Sequence, residues 1–172
     1  IKSLPEEIPH LADLDDEMVI NFKNPRFPKR FLDMKKDKPL LIWYKGSLDL
    51  DECIAVVGSR NIVPETKKIT EEIVSLAGER NLSIVSGLAK GVDEAAHISA
   101  LENNLKTIAI LPSSLDNILP TSNKNLAFEI IENGGLLLSE YEIGSPRNPE
   151  KSNYIRRNRL QAGLSEATIV AQ

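Results

Sequence analysis

The chain has 172 residues, of which 41% are hydrophobic and 27% charged, with a net charge of −4. That is enough for one domain with a single core, and the acidic balance counts against a protein that coats nucleic acid non-specifically, because such binding rests on many Lys/Arg–phosphate contacts. A single cysteine, Cys53, excludes an intramolecular disulfide and a cysteine-based metal site, and fits a reducing cytoplasm. The two histidines, His10 and His97, lie too far apart to suggest a metal centre. No apolar run approaches a membrane span. The opening IKSLPEEIPH lacks an apolar h-region, which predicts no secretory leader.

In chain order, a helix is expected over 10–18. Residues 21–48, rich in Pro, Lys and aromatics, read as irregular, with a short helix over 28–34 and an extended piece over 40–44. From Cys53 the pattern becomes regular. CIAVVG reads as a buried strand bounded by glycine. ETKKITEEIVSLAGERN reads as a helix with Ile69, Ile73, Leu76 and Ala77 on one face. LSIVSG is a second strand, and VDEAAHISALENN a helix packing Val92, Ala95, Ala96, Ser99 and Ala100. KTIAIL, NKNLAFEIIEN and GLLLSE continue as strand, helix and strand. SNYIRRNRLQAGLS is a fourth helix in this series, and ATIVA a last strand.

Strands alternating with helices predict a Rossmann-like α/β fold: a doubly wound, mostly parallel sheet covered on both faces. We read residues 1–50 as an irregular N-terminal extension packing on the core, and 51–172 as that core. Every loop from a strand into the following helix then lies on one rim of the sheet, where ligands bind. Two such loops are rich in glycine. At 87–91 (within VSGLAKGVDEAAH) and again at Gly58-Ser59-Arg60, glycines leave amide N–H groups uncovered beside a helix N-terminus. These are devices for an anion, most naturally phosphate. Arg60 adds a bidentate guanidinium and Lys90 a further cation. Neither loop fits GxGxxG or GxxxxGK[ST], which lowers the odds of hydride transfer or NTP hydrolysis. Residues 144–160 add Arg147, Lys151, Arg156, Arg157 and Arg159 against Glu150 alone. Ser86 reads as a strand end, Asp93 as a residue favoured by the helix dipole, and His97 as a packed, hydrogen-bonded histidine more than a catalyst.

The segments AVVGSR, VSGLAKGVDEAAH, TIAILPSSLDNILP, LLLSEY and RRNRLQAGLS, in that order and spacing, resemble the DNA-processing protein A (DprA/Smf) family over roughly residues 21–172. Tyr154-Ile155 stands where that family usually has Phe-Pro. The resemblance implies a protein that is not an enzyme. It would bind single-stranded DNA and protect it or deliver it to the RecA recombinase during natural transformation, in the cytoplasm, as a homodimer, with no cofactor, metal or membrane. The family's phosphate contacts carry over to Gly58, Ser59 and Arg60, to Ser86, Gly87, Ala89, Lys90 and Gly91, and to Arg156, Asn158 and Arg159. The family's fold continues past the position of Gln172, so the resemblance implies a core incomplete at that end. With few aromatics (5% of residues), phosphate gripping is expected to outweigh base stacking, Tyr154 being the best-placed platform. The alternative is a nucleotide sensor or a nucleoside-monophosphate phosphoribohydrolase-like enzyme. Those hydrolases share PGGxGTxxE; the nearest piece here, Asn133-Gly134-Gly135-Leu136, lacks the downstream Thr and Glu. Asp93 and Glu140 would have to act as the carboxylate pair.

Overall fold

The computed structural model describes residues 19–172; the helix expected over 10–18, and His10 with it, lies outside the described residues. Among the described residues seven strands, the first two being β1 (Val19–Asn21) and β2 (Leu41–Gly46) and the others β3 to β7 in chain order, form one sheet in the order β1-β2-β6-β5-β4-β3-β7. The parallel part is β3 (Cys53–Gly58), β4 (Ser83–Ser86), β5 (Thr107–Leu111), β6 (Leu136–Ser139) and β7 (Ala167–Ala171). Helices α2 (Pro64–Gly78), α3 (Val92–Glu102), α4 (Lys124–Glu132) and α5 (Lys151–Leu164) alternate with these strands.

The strands are short apolar runs buried on both faces, as parallel strands must be. Alternate residues of one strand enter different cores. On one face Cys53, Ala55, Val85, Ile108, Ile110 and Leu138 meet Leu160 and Leu164 of α5. On the other, Ile54, Val56 and Ile84 meet α2 and α3 through Val74, Ala77, Val92 and Ala96, while Ala109, Leu111 and Leu137 meet α4 through Ala127 and Ile130.

The segment before the core is less irregular than its composition predicts. β1 (Val19–Asn21) and β2 (Leu41–Gly46) add two antiparallel strands, β2 pairing with β6 from Trp43 opposite Ser139 to Gly46 opposite Leu136. The reason is the sheet's need to cover β6. Ile42 and Tyr44 join the α5-side core and Trp43 the α4-side core, so a strand reads here as IWY rather than as alternation. The expected short helix is present as α1 (Lys29–Asp33). It packs on α5.

The face predicted for α2 holds at Ala77, which is buried, and at Ile73, which packs against the core, but the buried stripe is rotated by about one residue from the rest of it. Thr66, Thr70, Val74 and Ala77 are buried, whereas Ile69 and Leu76 are about half exposed. The Thr70 hydroxyl is paired in its buried position, Oγ1 donating to the Thr66 carbonyl (2.9 Å), as a buried polar group requires. These small side chains also allow close approach to the alanine-rich α3. The face predicted for α3 is the buried one, and Asp93 and His97 join it.

The chain steps from β3 to β6 in one direction. It then returns through α5, across three strands, to place β7 on the far side of β3. That reversal is a topological switch point, and it sits where Gly58 and Ala171 pair at the ends of β3 and β7.

Candidate nucleic-acid interface

At the switch-point rim the two glycine loops are docked to each other. Val92 N–H donates to the Ser59 carbonyl (3.1 Å). Gly91, at φ +82°, has no room for a side chain: a Cβ there would sit 2.3 Å from the Ser59 oxygen. The second loop is fixed from below. Leu88 is held at φ +60°, a conformation that costs a non-glycine residue about 1–3 kcal/mol. Its side chain is fully buried and its carbonyl accepts from Asn123 Nδ2 (3.1 Å), which compensates. Ser86 is buried too, its hydroxyl donating to the Val56 carbonyl (2.6 Å).

Sequence reasoning missed what lies beneath these loops. Asp93, on the first turn of α3, is nearly fully buried and accepts from the Gly87 amide (3.1 Å) and from the amides of Ala89 and Gly58. These are three of the donors expected to serve phosphate; here a carboxylate of the chain itself takes them. Arg157 of α5, also nearly fully buried, is its counter-charge. The Arg157 guanidinium donates to the Gly87 carbonyl (2.8 Å) and to the Ile110 carbonyl. It lies so close that a Cβ on Gly87 would come within 2.2 Å of it. Burial pushes the Asp93 carboxyl above the usual carboxylate range, while Arg157 and the three amides pull it back. The signal available in the sequence was spacing: 157, 160, 161 and 164 form the buried stripe of α5, so the middle arginine of RRNR faces in.

The remaining expected residues divide into exposed and committed groups. Arg60 and Lys90 are exposed, as is Arg156, and none has an ion-pair partner among the described residues. The Arg60 guanidinium lies 5.2 Å from the centre of the Tyr154 ring, a cation–π distance. Ser59 Oγ donates to the Asn61 carbonyl (2.9 Å). Asn158 is exposed, but its Oδ1 accepts from Arg157 Nε (3.2 Å). Arg159 is neutralised: one of its nitrogens is 2.6 Å from both carboxylate oxygens of Glu140. Glu140 is thus bound to an arginine, and Asp93 to the loop amides with Arg157 as a nearby counter-charge.

Three clefts meet at Arg60. The first, of about 530 Å³, follows the switch point between α5 and β7 and is lined by Gly58, Ser59, Tyr154, Asn158 and Gln161 among others. A second, of about 480 Å³, runs past Lys90 to Leu119, Pro120 and Thr121, with Tyr154 again in its wall. The third, of about 540 Å³, opens between α2 and α3 and carries Lys67, Lys90 and Glu94. The loop after β5 therefore shapes the site alongside the two glycine loops.

Residues 18–172 match the family described as DNA recombination-mediator protein A. The chain belongs to that family. It is 46% identical over 138 residues to the DNA processing protein DprA of Streptococcus pneumoniae, an overlap of 79% of this chain and 48% of the relative. The X-ray structure of DNA processing protein A from the same organism superposes with a TM-score of 0.80 at 38% identity, covering 94% of this chain and 56% of that one. A structure that gives insight into the single-stranded DNA binding mode of DNA processing protein A from Helicobacter pylori superposes at 0.76 and 37% identity, over 90% of this chain and 69% of that one. The chain thus spans about half the length of the curated DprA it matches. Both superpositions account for the α/β fold.

Among the described residues no helix is long and apolar enough to cross a membrane, and no group of three or more His, Cys, Asp or Glu side chains could hold a metal ion.

Proposed function

We propose that this chain binds single-stranded DNA along the switch-point rim, in the cytoplasm, and that it serves the delivery of that DNA to the RecA recombinase in natural transformation, acting as a homodimer and not as an enzyme. The observation that carries the DNA reading is the convergence of three clefts on Arg60, an unpaired guanidinium lying over Tyr154. A groove of cations beside an aromatic platform is the ordinary means of holding a single strand. The phosphate grip falls on the exposed side chains of Arg60, Lys90 and Arg156, since Asp93 occupies the amides of Gly58, Gly87 and Ala89. Those amides hold the loops in shape and the cations do the binding. The Helicobacter pylori relative, known for its single-stranded DNA binding mode, and the family's description as a recombination mediator support the same reading. The commitment of Asp93 to the loop amides and of Glu140 to Arg159 speaks against a carboxylate pair poised for hydrolysis.

The test is fluorescence anisotropy with a labelled oligo-dT over a salt series. Arg60→Ala and Lys90→Ala should each weaken binding by roughly five- to tenfold at about 50 mM salt and make the log–log salt slope shallower by about 0.7. Thermal unfolding should be unchanged, because both side chains are exposed. Wild-type affinity and slope in both variants would refute the site.

A further inference from the structure

We propose that residues 23–38 form a second phosphate-contacting surface for nucleic acid, reached from the rim along α5; the track, though not the surface itself, rests on the rim site proposed above. This segment carries seven Lys and Arg against Asp33 and Asp37, in a chain whose net charge is −4. It is more basic than the RNR helix, yet lies outside the glycine-loop rim. Arg30 is paired with Glu166. Lys29, Lys35 and Lys36 are exposed and have no carboxylate partner among the described residues.

A run of lysines is often a flexible solvated stretch; this one is held rigidly. Phe27 and Phe31 are buried with ring centres 6.0 Å apart, and they join the core under α5. Arg30 donates to the Ser165 carbonyl at 2.8 Å. Met34 is seated on α5 so tightly that a Cβ on Gly163 would come within 2.3 Å of its sulfur. Lys38 lies over the Phe22 ring at 5.1 Å. Cations fixed on such a scaffold repel one another, and a polyanion relieves that repulsion while releasing its own counterions.

The same Met34–Gly163 contact sets the path. Arg156, Arg159 and Gly163 are spaced i, i+3 and i+7, which puts them on one stripe of α5. Arg156 stands toward the rim, Arg159 is neutralised by Glu140, and Lys35 and Lys36 follow Met34 at the far end. Seven helical residues span about 10 Å, about three phosphates at the stacked spacing of roughly 3.4 Å. A strand that leaves the clefts past Tyr154 and Asn158 of α5 and follows this stripe therefore meets the lysines within a few nucleotides. This continuity with the arginine stripe is why nucleic acid, and not an anionic membrane, is the occupant.

The experiment compares two oligo-dT lengths, about six and about twenty nucleotides, one within and one beyond the roughly 4–16 nucleotides of a single-strand site. Binding is measured by anisotropy over a salt series for the whole chain, for a triple variant (Lys29→Gln, Lys35→Gln, Lys36→Gln) and for Arg60→Ala. The triple variant should bind the long strand at least about tenfold more weakly, with a slope shallower by about two. It should bind the short strand within about twofold of wild type and unfold at the wild-type temperature. A long strand bound with wild-type affinity and slope would overturn the proposal, and so would equal loss for both lengths. The triple variant weakening the long strand while Arg60→Ala affects neither length would sink the rim site and leave the basic surface standing. Loss of binding to phosphatidylserine vesicles with the long oligonucleotide still bound normally would assign the surface to membranes and overturn it.

Discussion

Replacing Arg157 by leucine tests whether the glycine loops are held in place by two buried opposite charges, Asp93 on the Gly87 amide and Arg157 on its carbonyl. Asp93 and Arg157 are each about 5% exposed. Removing the guanidinium leaves a buried carboxylate without its counter-charge and takes a donor from the carbonyls of Gly87 and Ile110. Breaking a buried pair from one side costs about 3–5 kcal/mol, or roughly 6 to 20 °C in melting temperature for a domain of this size. The assay is urea unfolding at several pH values. The sign follows from Asp93, whose carboxyl is already raised by burial and rises further without Arg157. A carboxyl whose folded pKa is raised costs stability as pH climbs through that pKa. The deficit of Arg157→Leu should therefore be largest near neutrality and shrink on acidification. Asp93→Asn combined with Arg157→Leu should recover part of the loss, with a coupling of about 1 to 3 kcal/mol. A deficit under about 1 kcal/mol, the same at every pH, would refute the reasoning.

His97 should make the protein sensitive to mild acid. Its Nδ1 is 2.7 Å from Thr107 Oγ1, and that hydroxyl gives its one proton to the Ile84 carbonyl (3.0 Å). The imidazole is therefore the donor, neutral, with an unpartnered Nε2, and burial and then Arg157 lower its pKa to about 3. Because the folded value lies below the unfolded one, its contribution is complete above about pH 6.5 and is lost as pH falls toward 3, a total of up to about 5 kcal/mol. His97→Gln should flatten the pH dependence of the urea midpoint in that window; an unchanged pH profile would count against a buried neutral ring. Gly91→Ala should destabilise by about 1–3 kcal/mol, because its Cβ meets main-chain oxygens of Ser59 and Arg60 that cannot move aside. It should also weaken oligo-dT binding by displacing Arg60. Wild-type behaviour in both urea unfolding and anisotropy would show that the loops are not docked.

Much of this architecture was local information. CIAVVG, LSIVSG and KTIAIL are strands because short β-branched runs between glycines and helical periods have few other uses. The alternation of the two periods fixes a parallel sheet and brings its strand-to-helix loops to one rim. Arg60, Lys90 and Tyr154 could be named from that alone. What local pattern could not give was the partner of each polar group. The Gly87 amide belongs to Asp93 and its carbonyl to Arg157, a residue 70 positions away. Likewise Arg159 is silenced by Glu140, and Thr66 and Thr70 take the inner face of α2 while Ile69 turns outward. A hydrogen bond or ion pair forms with whatever the packed chain brings within about 3 Å, so which cations stay free for a ligand is decided by tertiary contacts. The rim was written in the order of elements along the chain, but the charge available at that rim was settled only when α5 crossed the sheet and sank Arg157 beneath the loops.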